Sequence, residues 1–198
     1  LGNFGSLRML DATPGTTETA TVSGNINFLA TAFVGVDGGG ANPDRLILNG
    51  ALASAAGQMI KVGPGELEVA GASDNGVGFV GAPGPWAHGL LVRQGSVFFN
   101  KAGALRAIAG GTITVGDGSG GTNPARLILI GSGTDQIGGN LNVDVGLNGQ
   151  LLLAGATLTE SINQLQIFRL GNVAGSVDTG TATLTLNANI FASNAGLT

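Results

Sequence analysis

Two stretches of this chain, VGVDGGGANPDRLIL at 34–48 and VGDGSGGTNPARLIL at 115–129, are identical at 10 of 15 positions without a gap, at a spacing of 81. A long internal period of this kind constrains the fold more than any local propensity, because it marks an architecture built by stacking similar units. The repetition extends both ways. GELEVAG at 65–71 returns as GQLLLAG at 149–155, at a spacing of 84, and TATVSGNINF at 19–28 resembles TATLTLNANIF at 181–191, near twice the period. The chain reads as a single unit over 1–198, with copies at approximately 19–99 and 100–180 and a restart at 181–198.

Inside each copy the period is two. Leu67 and Val69 alternate with Glu66 and Glu68; Leu46 and Leu48 alternate with Arg45, Ile47 and Asn49; Leu141, Val143 and Val145 alternate with Asn142 and Asp144. Such alternation is the signature of half-buried strands. Glycine, 37 residues in 198, brackets the strands where corners are tight. The glycines do not fall at every third position, which excludes collagen. The 43% of hydrophobic residues argues against disorder. A unit as long as this period is three or four coils at about 20 to 27 residues per coil. The expected fold is therefore an all-β solenoid, a right-handed parallel β-helix of about eight to ten coils and roughly 40 Å. A β-sandwich or antiparallel meander is the alternative.

Composition removes several function classes. There is no cysteine, hence no disulfide scaffold, thiolate metal site or cysteine nucleophile, and a single histidine cannot build a multi-histidine centre. Net charge is -4 with few, scattered basic residues, so no stripe is laid out for nucleic acid. No apolar run approaches the roughly 18 to 20 residues of a membrane helix. The sequence starts at Leu1 without a basic, apolar leader and reads as a mature product or an excerpt.

The stretches IKVGPGELEVAGASDN (60–75) and GLLVRQGSVFFNKA (89–102) carry a resemblance. Lys61, Gly63, Gly65, Leu67, Val69 and Gly71, followed by Val92, Gly95, Val97, Asn100 and Lys101, resemble the bacterial autotransporter-associated β-strand repeat. The chain departs from that pattern at 76–88, which is longer and richer in proline. The resemblance implies a parallel β-helix in a large exported bacterial protein, often a passenger displayed through an outer-membrane barrel.

Candidate contact residues follow from the same reading. The segment GAPGPWAHG at 81–89 holds Trp86 and His88 beside two prolines, a stiff loop in which the indole suits stacking on a sugar or a neighbour, although a loop folding its own Trp back onto the solenoid is the commoner arrangement. Arg45 and Arg126 recur at equivalent positions, suited to an anionic glycan but equally to local carbonyls or an outward strand face. The Gly-rich loops from Asp37 to Asp44 and from Asp117 to Asn123 offer oxygens for calcium, yet Asp44 becomes Ala125 in the second copy, so tight turns are the expectation and no cofactor is expected. Glu66 and Glu68 share a face with no second acidic cluster, and no triad, P-loop or nucleotide fingerprint is present, so no enzyme is expected. Alternation turns Ile47, Phe98, Ile128, Ile130 and Leu152 away from the core, and Phe4, Leu7, Ile190 and Phe191 fall in apolar terminal segments. These nine are the candidate self-assembly residues. The expected role is an extracellular structural protein, a subunit or segment of a surface fibre that joins copies head to tail. The alternative is an adhesin-type passenger that contacts surface glycans through 76–89.

Overall fold

The computed structural model describes residues 5–38, 41–54, 57–75, 89–116, 118, 124–138, 140–155, 157–171 and 173–194. Every helix or strand element among them is a β-strand. The first turn carries β1 (Gly5–Met9), β2 (Thr19–Val22) and β3 (Ile26–Phe28), and the second β4 (Ala32–Val36), β5 (Arg45–Leu48) and β6 (Leu52–Ser54). The path continues on two faces through β7 (Met59–Val62), β8 (Glu66–Val69), β9 (Leu90–Val92), β10 (Gly95–Phe99), β11 (Thr112–Val115) and β12 (Ala125–Leu129). Three faces return with β13 (Asn142–Val145), β14 (Gly149–Leu153) and β15 (Thr159–Ile162). The last described turn holds β16 (Gln164–Leu170), β17 (Val173–Ala174), β18 (Ser176–Asp178) and β19 (Thr183–Leu186), and β20 (Ile190–Asn194) lies on top of β16.

Strands equivalent in this cycle stack into sheets. Sheet A runs β1-β4-β7-β9-β11-β13-β16 with β20 beside β16, sheet B runs β2-β5-β8-β10-β12-β14-β18, and a third face carries the short pairs β3–β6 and β15–β19. Apart from the β16–β17 hairpin, the described strands pair in parallel. The chain is a β-solenoid of about six turns, which at about 4.8 Å per step gives roughly 29 Å. Parallel stacking leaves no place for the antiparallel alternative. The expected eight to ten turns are corrected because the turns vary in length and the middle ones are longer than assumed. The step from Arg45 to its partner Glu66 is 21 in the numbering. The next two steps, Glu66 to Ser96 and Ser96 to Arg126, are 30 each.

The long sequence period has a direct structural meaning. Leu46 stacks on Leu67, Leu67 on Val97 and Val97 on Leu127, so the spacing of 81 is three steps of the coil. In sheet A, Val34, Lys61, Val92 and Val115 make the same three steps over the same spacing. The spacing of 84 between Leu67 and Leu151 is also three steps, the last one shortened. The similarity between 19–28 and 181–191 has a different basis: β2 stands in sheet B, whereas β19 stands on the third face. It does not relate equivalent positions of the coil.

Alternation decides what is inside. Leu46, Leu67, Val97, Leu127 and Leu151 form one inward column, and Leu48, Val69, Phe99, Leu129 and Leu153 the next, all nearly inaccessible. Each fully buried aliphatic side chain contributes about 1.5–3 kcal/mol. At the corners, glycines let one turn sit directly on the carbonyls of another: Gly65 lies over Asp37, Gly131 over Lys101 and Gly149 over Val115.

On the third face, side chains replace a strand ladder. Asn75 accepts from the Leu52 amide (2.9 Å) and donates to the Ala107 carbonyl (2.9 Å), joining three turns. Gln136 accepts the Lys101 amide (2.7 Å), and Glu160 accepts the amides of Gln136 and Ile137 at 2.9 and 3.1 Å. All three side chains are buried. They satisfy backbone groups that would otherwise be stranded inside.

Candidate functional site

The outer face of sheet B brings several candidate residues together. Register places Ile47, Glu68, Phe98, Ile128 and Leu152 in one outward column, and Arg45, Glu66, Ser96, Arg126 and Gln150 in the adjacent one. The four apolar members of the first column are half-buried, as is Ile130 just beyond β12. The two arginines, equivalent in sequence, differ in surroundings. Arg45 pairs with Glu66 at 2.5 Å and Glu68 at 3.3 Å and lies 4.9 Å over the Phe98 ring. Arg126 donates to the neutral Gln150, at 2.8 Å, and is exposed. Arg45 thus serves carboxylates of its own sheet rather than loop carbonyls. Glu66 and Glu68 are not a solvated pair either, because Glu68 is buried and also accepts from Asn100 (2.7 Å).

The loop carboxylates are also engaged within the coil. Asp37 pairs with Arg8 across one turn at 2.8 Å, and buried Asp44 accepts the Glu18 amide at 3.0 Å. Among the described residues no three acidic or histidine side chains converge as a metal site. Trp86, His88 and Phe4 lie outside the described residues, as does most of the Asp117 to Asn123 loop.

Sequence reasoning missed the buried charges. Lys61 occupies an inward position of sheet A, between Val34 and Val92, and is inaccessible. Its Nζ donates to the carbonyls of Val62, Gly63 and Gln94 at 3.0, 2.7 and 3.1 Å, three acceptors for the three hydrogens of an ammonium. Lys101, equally buried, donates to Ala70 at 2.5 Å and Ser73 at 3.0 Å, with Gly71 at the 3.5 Å limit. Burial pulls Lys61 down to about 7 and Lys101 to about 8; Asp37 and Glu66 oppose this at Lys61, and Asp74 at Lys101. Burial pushes Glu160 up to about 7 against the amides of Ile137 and Gln136. The signal for Lys61 was present in the sequence: strict alternation through MIKV puts it on the inward side, just before a Gly-Pro-Gly corner. Through these bonds both lysines hold corners together.

The ends of the coil are the other distinctive surface. Among the described residues the exposed large apolar side chains are Leu10, Leu29, Leu170, Val173, Ile190 and Phe191. All six belong to the first turn or to the last turn and the strand above it. Ile190 and Phe191, 61% and 44% exposed, sit on β20, which among the described strands pairs with β16 alone. At the opposite end an apolar hollow of about 610 Å³ opens between β1, β3 and β4, lined by Leu7, Ile26, Phe28, Leu29, Ala32 and Val34 among others. Leu7 is partly buried against the core there. No family model, curated protein or solved structure matches the chain, so the likeness to the autotransporter-associated repeat stands on the residues quoted above.

Proposed function

We propose that the chain is a structural segment of an extracellular fibre whose β-solenoids join end to end, without catalytic activity of its own. The observation that carries this reading is the confinement of the exposed large apolar side chains, among the described residues, to the first and last turns. Apolar surface of this kind is stable when covered, and strand edges are templates for further strands. The two ends differ in shape. One offers the protruding Ile190 and Phe191, the other the hollow beside Leu7 and Ile26. Contact between unlike ends is head to tail and does not close on itself, so it generates a filament. The outward column Ile47–Phe98–Ile128–Leu152 supplies a lateral surface along the same axis. A bacterial cell-surface setting belongs to the same proposal. It is supported by the resemblance at 60–75 and 89–102, where Lys61 and Lys101 act as buried corner pins.

Sedimentation velocity over a wide concentration range, followed by negative-stain electron microscopy, tests the proposal. The expected result is concentration-dependent growth into unbranched rods. Phe191→Glu should abolish it while leaving the far-ultraviolet circular dichroism unchanged. Monodisperse single chains at every concentration overturn the proposal, and so does assembly indifferent to Phe191→Glu.

A further inference from the structure

The outer face of sheet A carries a trough unlike anything on sheet B. Leu91, Thr114, Asp144 and Gln166 stack in one outward column. Two residues further along each strand the adjacent column runs Arg93, Gly116, Gly146 and Phe168, following the same registers. Among the described residues, the two glycines leave no side chain in that column between Arg93 and Phe168. The backbone positions of Arg93 and Phe168 are three steps apart, about 14 Å along the stack, and their side chains close that span from both ends. The result is a hollow of about 240 Å³ with glycine backbone as its floor, Thr114 and Asp144 as one wall, and Arg93 and Phe168 at its two ends.

Its polar groups are unspent. Among the described residues, the Arg93, Thr114 and Asp144 side chains have no hydrogen-bond or ion-pair partner, in contrast to Arg45, Glu66 and Glu68 on sheet B. Asp144 is half-buried, and burial raises its pKa. A carboxyl group withdrawn from water without a partner favours a ligand that supplies donors. The volume is below the roughly 300 Å³ at which pockets for drug-sized molecules begin, so the occupant is about one ring in size.

We propose that this trough binds a single neutral pyranose unit of a glycan, with Phe168 against the apolar C–H face of the sugar and Asp144, Thr114 and Arg93 hydrogen-bonded to its hydroxyls. A carboxylate accepts two hydroxyl donors, and a guanidinium donates to hydroxyl oxygens in a fixed fork. An aromatic ring contributes apolar area where the sugar has C–H bonds. A simple anion would be repelled by Asp144 and a simple cation by Arg93, whereas an uncharged polyhydroxyl ring uses both. The site lies on the outer face of sheet A, reaching the last turn only at Phe168 on β16, and its argument stands independently of the fibre proposal.

The test is saturation-transfer NMR on the intact chain with the methyl pyranosides of glucose, galactose, mannose and N-acetylglucosamine at millimolar concentration, and phenylalanine as a zwitterionic comparator. At least one pyranoside should receive transfer. Asp144→Ala and Phe168→Ala should each weaken its binding tenfold or more, and Ser176→Ala, on the outer face of sheet B, should leave it unchanged. Gly146→Ala should weaken binding by partly filling the floor, with the fold intact, since a Cβ there meets nothing nearer than the Val115 carbonyl oxygen at 3.5 Å. Transfer to none of the four sugars overturns the proposal. Transfer to phenylalanine alone, or sugar binding that survives Asp144→Ala undiminished, also overturns it.

Discussion

Gly131→Ala is the sharpest perturbation of the stacking. A Cβ on Gly131 would overlap the Lys101 carbonyl oxygen and sit 2.8 and 2.9 Å from the Lys101 nitrogen and carbonyl carbon. Those are backbone atoms of the neighbouring turn, fixed by the bonds from the Ile130 amide to Phe99 (2.9 Å) and from the Lys101 amide to Gln136 (2.7 Å). No rotamer relieves the overlap, so the two turns must part locally. Overpacking of this kind costs about 1–3 kcal/mol. Losing one buried backbone hydrogen bond adds about 1–3 kcal/mol, so the expected loss is about 2–6 kcal/mol. Gly24→Ala is the matched control, because a Cβ there meets nothing within 4 Å and no positive φ is involved; it should change stability by no more than about 0.5 kcal/mol. Urea unfolding followed by circular dichroism, with both variants fitted at the wild-type slope, reads the difference. Stability of Gly131→Ala within about 1 kcal/mol of wild type, a threshold near the typical single-substitution effect, would refute the corner geometry. Equal losses in the two variants would refute it as well.

The buried ionisable groups predict an unusual pH dependence. Glu160 titrates near 7 when folded against 4.5 ordinarily, so the folded state holds more protons between those values and stability falls as pH rises from 4.5 to 7. Lys61 titrates near 7 against 10.5, so the unfolded state holds more protons above 7 and stability rises from pH 7 to 10.5. The urea midpoint should pass through a minimum near pH 7, with limbs of roughly 3 kcal/mol or more by linkage. Glu160→Gln should flatten the acid limb, and Lys61→Met should reduce the alkaline one without removing it, because Lys101, near 8 against 10.5, contributes to the same limb. On sheet B, Arg45→Ala should lose about 1–2 kcal/mol through its two carboxylates and the Phe98 ring, and Arg126→Ala no more than about 0.5 kcal/mol; the same urea titrations separate them.

The sequence made the sheets legible and hid the third face, for one physical reason. Strands announce themselves by alternation, and Leu46/Leu48, Leu67/Val69 and Val143/Val145 all point inward as their spacing requires. Between the short pairs β3–β6 and β15–β19, the third face is held by single amides and one acid, Asn75, Gln136 and Glu160. A lone polar residue in a non-periodic stretch carries no signal that it is buried. The count of turns failed for a related reason. Corner segments vary in length, and only the register that puts Glu66 beside Ser96 and Ser96 beside Arg126 reveals how long the middle turns are. The trough on sheet A was invisible because its defining feature is two absent side chains, at Gly116 and Gly146, which align only once the turns are stacked.

The absence of cysteine in the chain makes paired spin labels straightforward to place, and they test the continuous parallel coil directly. Thr19, Arg45, Glu66, Ser96, Arg126, Gln150 and Ser176 follow one another up a single outward column of sheet B. With labels at Thr19 and Ser176, six steps apart, double electron–electron resonance should give a distance near 29 Å at about 4.8 Å per step, and with labels at Thr19 and Arg126, four steps apart, a distance near 19 Å. Distances that grow in proportion to the number of steps are what a stacked coil requires. A Thr19–Ser176 distance equal to or shorter than the Thr19–Arg126 distance would contradict it.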